Sequence, residues 1–331
     1  MSKASKQNFL YGATILMVSM IIVKFVGAIF KIPLLQIIDT SGMAYFSSAY
    51  TLFTTVYALT VSGLSAGVAR MVAENATVGR FRDVKKIFKL ATTIFIGLGL
   101  AGFIIIAVAA NGFSMAINNP KSYWSLVMIS PAIFFCCVMA AYRGYYEGLS
   151  DMRPTAVSQV VEVLIKLVAG LSLASIVMAV AQRQYEQTGI VFGVAADSAE
   201  AAKMIALPFG AAGAMFGITI STVAGFIYIF IRHKLHGDGI TSEQLKASPS
   251  PLKGKILVYR LIKLAVPITL GAVVLQLSAM IDMATIMNKL EKTAQTSSYL
   301  GQIYAPYLKA DEEIQVFLFG CFSSAVNIFN L

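Results

Sequence analysis

Charged side chains are scarce in this chain: they make up only 13% of its 331 residues, whereas a soluble domain is nearer a quarter charged. Hydrophobic residues account for 57% of the sequence and fall into long runs. A run of about 20 apolar residues is long enough for a helix to cross a bilayer. The composition therefore excludes a soluble domain and predicts an all-α, polytopic membrane protein.

Histidine and cysteine are nearly absent, and no glycine-rich run ends in Lys-Ser or Lys-Thr. Both histidines, His233 and His236, lie in a basic linker, where we expect solvated loop residues. Cys136, Cys137 and Cys321 lie in apolar segments without metal-ligand spacing or a loop partner, so no disulfide framework is inferred. We therefore expect neither an enzyme nor a metal site nor a cofactor.

Apolar spans occur at eight places along the chain. They cover roughly 8–38, 44–73, 87–110, 122–147, 155–181, 205–231 and 258–287, and an eighth begins near 312 and meets the chain end. A chain that stops inside the bilayer leaves its last backbone groups unsatisfied in lipid. We therefore expect the sequence to be a fragment of a longer protein.

Lysine and arginine are distributed unevenly between alternate loops. Outside the spans, sixteen lie on the side of the N-terminus and six on the other. Because positive residues are enriched in cytoplasmic loops, the N-terminus is predicted to lie in the cytoplasm. The protein itself is predicted to lie in the cytoplasmic membrane. The same alternation argues against nucleic acid as the partner of this chain, despite its net charge of +10.

The longest linker is rich in glycine, proline, serine and charge, which marks a boundary after six spans. The predicted organisation is a first six-helix lobe over 1–235, a basic cytoplasmic linker over 236–257, and the start of a second lobe over 258–331. Spans one and seven both carry Leu-Gln shortly before Ile-Asp. This is a weak indication of a parallel internal repeat, of the kind in which two halves rock about a central site.

Two lysines lie inside the first span, where an ammonium group is costly. Lys24 and Lys31 are seven residues apart, close to two helical turns, so both point to nearly the same side, about 10 Å apart along the axis. Snorkelling to the interface is an alternative for Lys31, but Lys24 lies close to the middle of the span. Since intramembrane charges usually face a protein interior or a watery cavity, the pattern favours a cationic cavity wall.

Span five has a polar edge, on which Gln159, Glu162 and Lys166 are candidates for lining a cavity or for coupling. Glu162 precedes Lys166 by four residues and is predicted to pair with it. That pair either staples the helix to a neighbour or lines the cavity. Asp282, the isolated acid of span seven, either holds a coupling cation or pairs with a lysine of the first half. Asp39 is expected to be a solvated helix terminus.

Two further pairs at i, i+4 spacing are predicted near helix ends, Arg70 with Glu74 and Arg143 with Glu147. In span two, small residues recur every three or four positions within Ser62–Ala69. Small residues at this spacing let helices approach closely. We therefore expect the end of span two to be a helix-packing surface.

Several of these stretches resemble a known group of transporters. Tyr-Arg-Gly-Tyr-Tyr-Glu-Gly at 142–148, followed by Arg-Pro-Thr-Ala-Val-Ser-Gln-Val-Val-Glu at 153–162, is similar to the oligosaccharide flippase branch of the MOP superfamily. Within that branch it resembles the stage V sporulation protein B and MurJ-like group. Lys-Phe-Val-Gly at 24–27 and the helix end at 62–70 fit the same group. The resemblance covers the whole chain in span order, but less than a whole family protein.

The resemblance implies a MATE-like lobe of six helices plus the start of a second, out of about fourteen helices in repeat-built family members. It implies transport, without bond making or breaking, of an undecaprenyl-pyrophosphate-linked saccharide such as lipid II or a related cell-wall or polysaccharide precursor. It further implies a cationic central cavity built from helices one, two and eight, in which Lys24 matches a basic position on helix one and Lys31 lies near a second one, so that both are substrate-binding candidates. The basic position on helix two falls at Tyr57 or Ala58, which is a departure, and the helix-eight contribution lies beyond Leu331 or is absent.

Two other functions stay open at this point. A cation-coupled multidrug exporter of the same superfamily would require acids rather than lysines in the first-lobe cavity, because its cargo is cationic. A membrane scaffold in cell-wall or sporulation assembly would require no transport at all. For a flippase, the predicted partners are the lipid-linked oligosaccharide, membrane lipids and a coupling cation.

Overall fold

The computed structural model describes residues 9–117 and 119–296, which are almost entirely helical. The helices are α1 (Phe9–Tyr57), α2 (Gly63–Thr77), α3 (Phe81–Ala116), α4 (Tyr123–Gly148), α5 (Arg153–Thr188), α6 (Ala199–His236), α7 (Ser242–Ala247) and α8 (Gly254–Thr296). A π-helical turn, Ala58–Ser62, joins α1 to α2, and a 3₁₀ turn, Pro120–Ser122, precedes α4. An antiparallel hairpin of β1 (Ile190–Val191) and β2 (Val194–Ala195) joins α5 to α6.

Six stretches of the described residues are long and apolar enough to cross a membrane. One of them, Thr14–Thr77, holds 64 residues, which is about 96 Å of helix and more than one crossing needs. Helix α1 breaks inside this stretch at Asp39, where φ is 59° and ψ is 179°. The stretch is therefore two crossings, as predicted for spans one and two. The multi-pass, all-α fold is confirmed, while the predicted eighth span lies outside the described residues.

The break at Asp39 is stabilised by the Asp39 side chain itself. The Thr40 backbone N–H donates to Asp39 Oδ1 at 2.7 Å, and Lys203 Nζ lies 2.9 Å from Asp39 Oδ2. Residues other than glycine rarely adopt this combination of φ and ψ, so the contacts of the Asp39 side chain help to hold the break in place. Its side chain is half exposed, so the predicted solvated helix terminus is confirmed, with Lys203 of α6 as an unpredicted partner.

The connections between helices fall at two ends of the bundle. Contacts of Lys85 and Tyr145 with Asp238 bring the connections 78–80, 149–152 and 237–253 to one end, named the basic face from here on. The break in α1, the turn before α4 and the hairpin lie at the other end, named the opposite face. Successive connections alternate between the two faces, as expected for helices that cross a membrane.

Helix α2 packs against α4 on one side and α8 on the other. A Cβ atom added to Gly148 of α4 would lie 2.5 Å from the Ala69 carbonyl oxygen and 2.6 Å from Val72 Cβ. A Cβ atom on Gly63 would clash with the α8 backbone at Ala265. The predicted packing surface in span two is thus confirmed, and it holds α8 as well as α4. The division of the chain into two lobes stays a prediction.

The linker between α6 and α8 is packed against the bundle at the basic face. The Tyr145 hydroxyl donates to Asp238 Oδ2 at 2.6 Å, and Lys85 Nζ lies 2.5 Å from the same oxygen. The Asp83 carboxylate, also buried, accepts from the Leu252 backbone N–H at 2.8 Å. Although burial acts in the other direction, the hydrogen bonds from Lys85 and Tyr145 hold the pKa of Asp238 below its usual value. The linker is therefore anchored at both ends.

The prediction that His233 is a solvated loop residue is wrong. Helix α6 continues to His236, so His233 lies on its last turns. The His233 Nδ1 atom is 2.9 Å from the Tyr146 hydroxyl, and its ring contacts those of Phe88 and Tyr142. The sequence did not reveal the helical position of His233, because a basic, polar helix end has the same hydropathy pattern as a loop. His236, one helical turn later, is exposed.

Candidate functional site

Helices α1 and α5 lie side by side and run in the same direction. Near the basic face, Ser19 Oγ of α1 donates to Gln159 Oε1 of α5 at 3.2 Å. Further along both helices, Lys166 Nζ lies 5.1 Å from the centroid of the Phe30 ring. Gln159, one of the predicted polar residues, is therefore a contact between α1 and α5. The level of Lys24 in α1 lies between these two contacts.

Two of the predicted lysines come together at this helix pair. Lys166 Nζ lies between two aromatic rings, 5.1 Å from the centroid of Phe30 and 5.2 Å from that of Tyr50. Lys31 is half-buried and interacts electrostatically with Lys166. Each cation–π contact is worth about 0.5–2 kcal/mol, which offsets part of the cost of holding an ammonium group here. The rings thus make it feasible for two like charges to sit close together.

Lys24 precedes Lys31 by seven residues on the same side of α1 and is exposed. Lys24, Lys31 and Lys166 form what we call the cationic patch. The predicted placement of Lys24 and Lys31 on one side of a helix agrees with the helix geometry. The structure adds Lys166, which reasoning from the sequence had assigned to an ion pair within its own helix.

The predicted pair between Glu162 and Lys166 is wrong. Arg143 forms its ion pair with Glu162 rather than with Glu147, whose carboxylate it still attracts electrostatically. Arg143 of α4 places one terminal nitrogen 3.0 Å from Glu162 Oε2, and its Nε donates to Ser158 Oγ at 2.9 Å. The planar guanidinium group reaches both acceptors at once, which an ammonium group cannot match. Both partners are largely shielded, at 14% and 26% exposure, so the pair ties α4 to α5.

This pairing decides the charge of the site. Because the Glu162 carboxylate is neutralised by Arg143, it does not neutralise Lys166. The cationic patch therefore carries up to three positive charges. The predicted pair of Arg70 with Glu74 is confirmed at 2.9 Å, but both side chains are more than half exposed. The side chain of Asp282, the predicted coupling acid, lies outside the described residues.

A row of aromatic rings borders the patch on the second segment of α1. Phe46, Tyr50, Phe53 and Tyr57 follow one another with ring centroids 6.0–6.2 Å apart. Tyr57, at the position where the resemblance implies a base, interacts electrostatically with Arg143 of α4. Reasoning from the sequence missed these rings, although their spacing of three and four residues places them on one helix face. That signal does not reveal which cation they contact.

Among the described residues there is no group of three His, Cys, Asp or Glu side chains that could hold a metal ion. Cys136 and Cys137 of α4 are buried and free. The chemistry that the described site offers is thus attraction of an anion by ammonium groups beside aromatic rings.

The helical arrangement is that of MOP-superfamily transporters. A MOP superfamily transporter from Pyrococcus furiosus superposes with a TM-score of 0.58 at 15% identity, covering 98% of this chain and 66% of that one. The outward-facing conformation of a multidrug resistance MATE family transporter gives a TM-score of 0.57 at 15% identity, covering 98% of this chain and 67% of that one. At this identity the likeness defines the fold alone, which confirms the predicted MATE-like architecture.

Residues 9–195 match the polysaccharide biosynthesis protein family, and the chain belongs to that family. It is 25% identical over 182 residues to the lipid II flippase MurJ of Bacillus subtilis, covering 52% of this chain and 34% of that protein. It is 24% identical over 235 residues to the stage V sporulation protein B of the same organism, covering 70% of this chain and 40% of that protein. The chain thus spans about a third to two-fifths of the length of these relatives.

Proposed function

We propose that this chain forms the first lobe of a flippase. Its cargo is an undecaprenyl-pyrophosphate-linked saccharide, lipid II or a related cell-wall or polysaccharide precursor. The flippase moves this cargo across the bacterial cytoplasmic membrane by alternating access. The single observation that carries the proposal is the cationic patch of Lys24, Lys31 and Lys166, whose neighbouring acid, Glu162, is held by Arg143.

Charge is the property that suits the patch to this cargo. A pyrophosphate group carries about two negative charges and will not cross hydrocarbon unaided, because burying an unpaired charge is very costly. Two opposite charges 4 Å apart attract by about 4 kcal/mol at an effective dielectric constant of 20, and by about 1 kcal/mol in bulk water. The Lys166 ammonium group, which lies between the Phe30 and Tyr50 rings, therefore attracts the headgroup more strongly than a solvated ammonium group would.

The path of the cargo's lipid tail and the orientation of the protein in the membrane belong to the same proposal. The polyprenyl tail stays in the bilayer through a gap between helices while the headgroup occupies the patch. The basic face carries most of the lysine and arginine of the loops, so by the positive-inside rule it is the cytoplasmic face. The N-terminus then lies in the cytoplasm. A membrane potential or a cation bound at Asp282 returns the emptied site to that side.

Complementation of a flippase-depleted strain tests the proposal. The protein should restore growth, and Lys24→Ala or Lys31→Ala should abolish rescue while leaving membrane insertion intact. Lys89 is an exposed lysine of α3 at the basic face, so Lys89→Ala is the matched control and should rescue normally. Normal rescue by Lys24→Ala, with the protein present at wild-type level, would contradict the proposal.

Two further measurements separate the other functions. A multidrug exporter would lower the susceptibility of expressing cells to cationic drugs, and three ammonium groups in the site argue against such cargo. A scaffold would rescue growth without moving a labelled lipid between the leaflets of reconstituted vesicles. The proposed flippase moves the lipid and leaves drug susceptibility unchanged.

A further inference from the structure

A second site lies at the opposite face, separate from the cationic patch. A cavity of about 580 Å³ opens between α5, α6 and the end of the first segment of α1. Its first α5 residue, Ser175, is nine residues beyond Lys166, which is about 13 Å along the helix. Cavities that bind small molecules and cofactors typically measure about 300–1,000 Å³, so this one is large enough for a ligand.

The cavity exists because the facing surfaces of α5 and α6 are built from alanine. Ala179 and Ala181 of α5 and Ala199, Ala202 and Ala206 of α6 line it. Ala181, Ala202 and Ala206 are buried in one hydrophobic cluster, where the two helices pack together. Because methyl side chains extend only a short way from the backbone, they leave a groove beside this packed cluster.

The cavity is lined largely by apolar side chains and carries its charged side chains near the opposite face. It extends along α5 from Ser175 to Glu186, which is about 16 Å and close to the 15 Å or so of hydrocarbon in one leaflet. Met178 lies between these two ends, Ile37 lies two residues before Asp39, and Lys203 and Glu186 place charges near the opposite face. A lining of this length with charges at one end matches one acyl chain that ends in a polar headgroup.

The charges at the mouth are of both signs. Lys203 Nζ lies 2.9 Å from Asp39 Oδ2, and both side chains are about half exposed, at 48% and 49%. The Glu186 carboxylate accepts from Gln182 Nε2 at 3.0 Å. A headgroup with two negative charges would meet Lys203 but also two carboxylates. A zwitterion, with a phosphate and an ammonium group, finds an opposite charge for each.

We propose that this cavity binds an amine-bearing zwitterionic phospholipid of the adjoining leaflet. One acyl chain lies along Ile37 and Met178, the phosphate contacts Lys203, and the headgroup ammonium contacts Glu186. Bound there, the lipid fills the space between the ends of α5 and α6. The site is independent of the cargo site, and it holds whether or not the proposed flippase function is correct.

Native mass spectrometry of the purified protein, offered equal amounts of phosphatidylethanolamine, phosphatidylglycerol and undecaprenyl phosphate, tests the site. Phosphatidylethanolamine should be retained preferentially. Ala179→Phe fills the cavity and should remove the bound lipid, whereas Val180→Phe, at the next residue and outside the lining, should retain it. Lys203→Gln should lower retention about tenfold, since charge-assisted contacts are the strong ones and tenfold is a 1.4 kcal/mol loss.

The control for Lys203→Gln is Asp39→Asn, which breaks the same ion pair but leaves the ammonium group in place and should retain the lipid. This comparison stands even if Ala179→Phe fails to fold. Equal retention of the two phospholipids, equal loss in Asp39→Asn and Lys203→Gln, or retention by a folded Ala179→Phe variant would overturn the proposal. Preferential retention of undecaprenyl phosphate would also overturn it, because the cavity would then hold the tail of the cargo.

Discussion

The pairing of Arg143 with Glu162, rather than Glu162 with Lys166, can be measured by double-mutant cycles. Arg143→Gln, Glu162→Gln and Lys166→Gln are made singly and in the two combinations that contain Glu162→Gln. Each cycle isolates the interaction between two side chains from their separate effects on stability. The cycle that shows coupling identifies the partner of Glu162.

The expected size follows from the geometry. The contact is 3.0 Å long and its partners are 14% and 26% exposed, so solvent screens it only in part. A hydrogen bond to a charged group contributes about 1.5–3 kcal/mol, and partial exposure favours the lower end. We expect Arg143 and Glu162 to couple by about 1.5 kcal/mol, whereas an i, i+4 helical pair of Glu162 with Lys166 would give about 0.3–0.5 kcal/mol.

The assay is reversible unfolding of the purified protein in mixed micelles, followed by helical circular dichroism. Glu162→Gln should be less stable than wild type, because Arg143 loses the carboxylate of its ion pair and keeps the hydrogen bond to the Ser158 hydroxyl. Lys166→Gln should change stability little, since its ring contacts are weak individually. Coupling near zero between Arg143 and Glu162, with clear coupling between Glu162 and Lys166, would refute the assignment of charge in the site.

Three further predictions concern the scaffold. Gly148→Ala should destabilise the protein by about 1–3 kcal/mol, as overpacking does. Gly97→Ala, where the added Cβ atom meets open space, should not destabilise it. Equal unfolding midpoints of the two variants would contradict the close approach of α2 and α4. The pKa of Asp238 is lower in the folded state than in the unfolded chain, where it is about 3.9. Asp238 therefore anchors the linker fully at a pH above this unfolded-state pKa. The anchoring is lost as the pH falls through the lower folded-state pKa. Acid protease cleavage of the linker should therefore rise in that range, and in Asp238→Asn it should already be high and insensitive to pH; a pH-independent wild type would be evidence against the anchor. Buried thiols are inert, so Cys136 and Cys137 should resist maleimide until the protein unfolds, and rapid labelling mapped to either residue would contradict their burial.

The element order of the described chain could be predicted from the sequence. Apolar runs of 20 or more residues have one stable arrangement in a bilayer, so the spans and the alternation of loops followed from hydropathy. The break near Asp39 was predicted because polar residues interrupt the run there. The extension of α6 to His236 was not, since a helix that continues past the apolar run carries polar residues that resemble a loop.

The site could be predicted only in part, because partners on other helices leave no trace in local spacing. Lys24 and Lys31 are conspicuous as charges within an apolar run. Glu162 and Lys166 have the spacing of a helical pair, yet Arg143 of α4 takes the carboxylate, and two rings on α1 take the ammonium group. Which side chain Glu162 or Lys166 contacts depends on how α1, α4 and α5 pack. The sequence of any one helix does not contain that information.

The central claim is that Lys24, Lys31 and Lys166 form an anion-binding patch for a pyrophosphate-bearing lipid. Its most direct test is the affinity of the purified protein for undecaprenyl pyrophosphate and for uncharged undecaprenol, at low and high salt. We predict that the protein binds the pyrophosphate lipid selectively and that salt weakens this binding by screening the charges. Lys31→Gln and Lys166→Gln should each bind about tenfold more weakly, a 1.4 kcal/mol loss. Lys89→Gln should bind as the wild type does. Equal binding of the charged and uncharged lipids, or wild-type affinity in both patch variants, would contradict it.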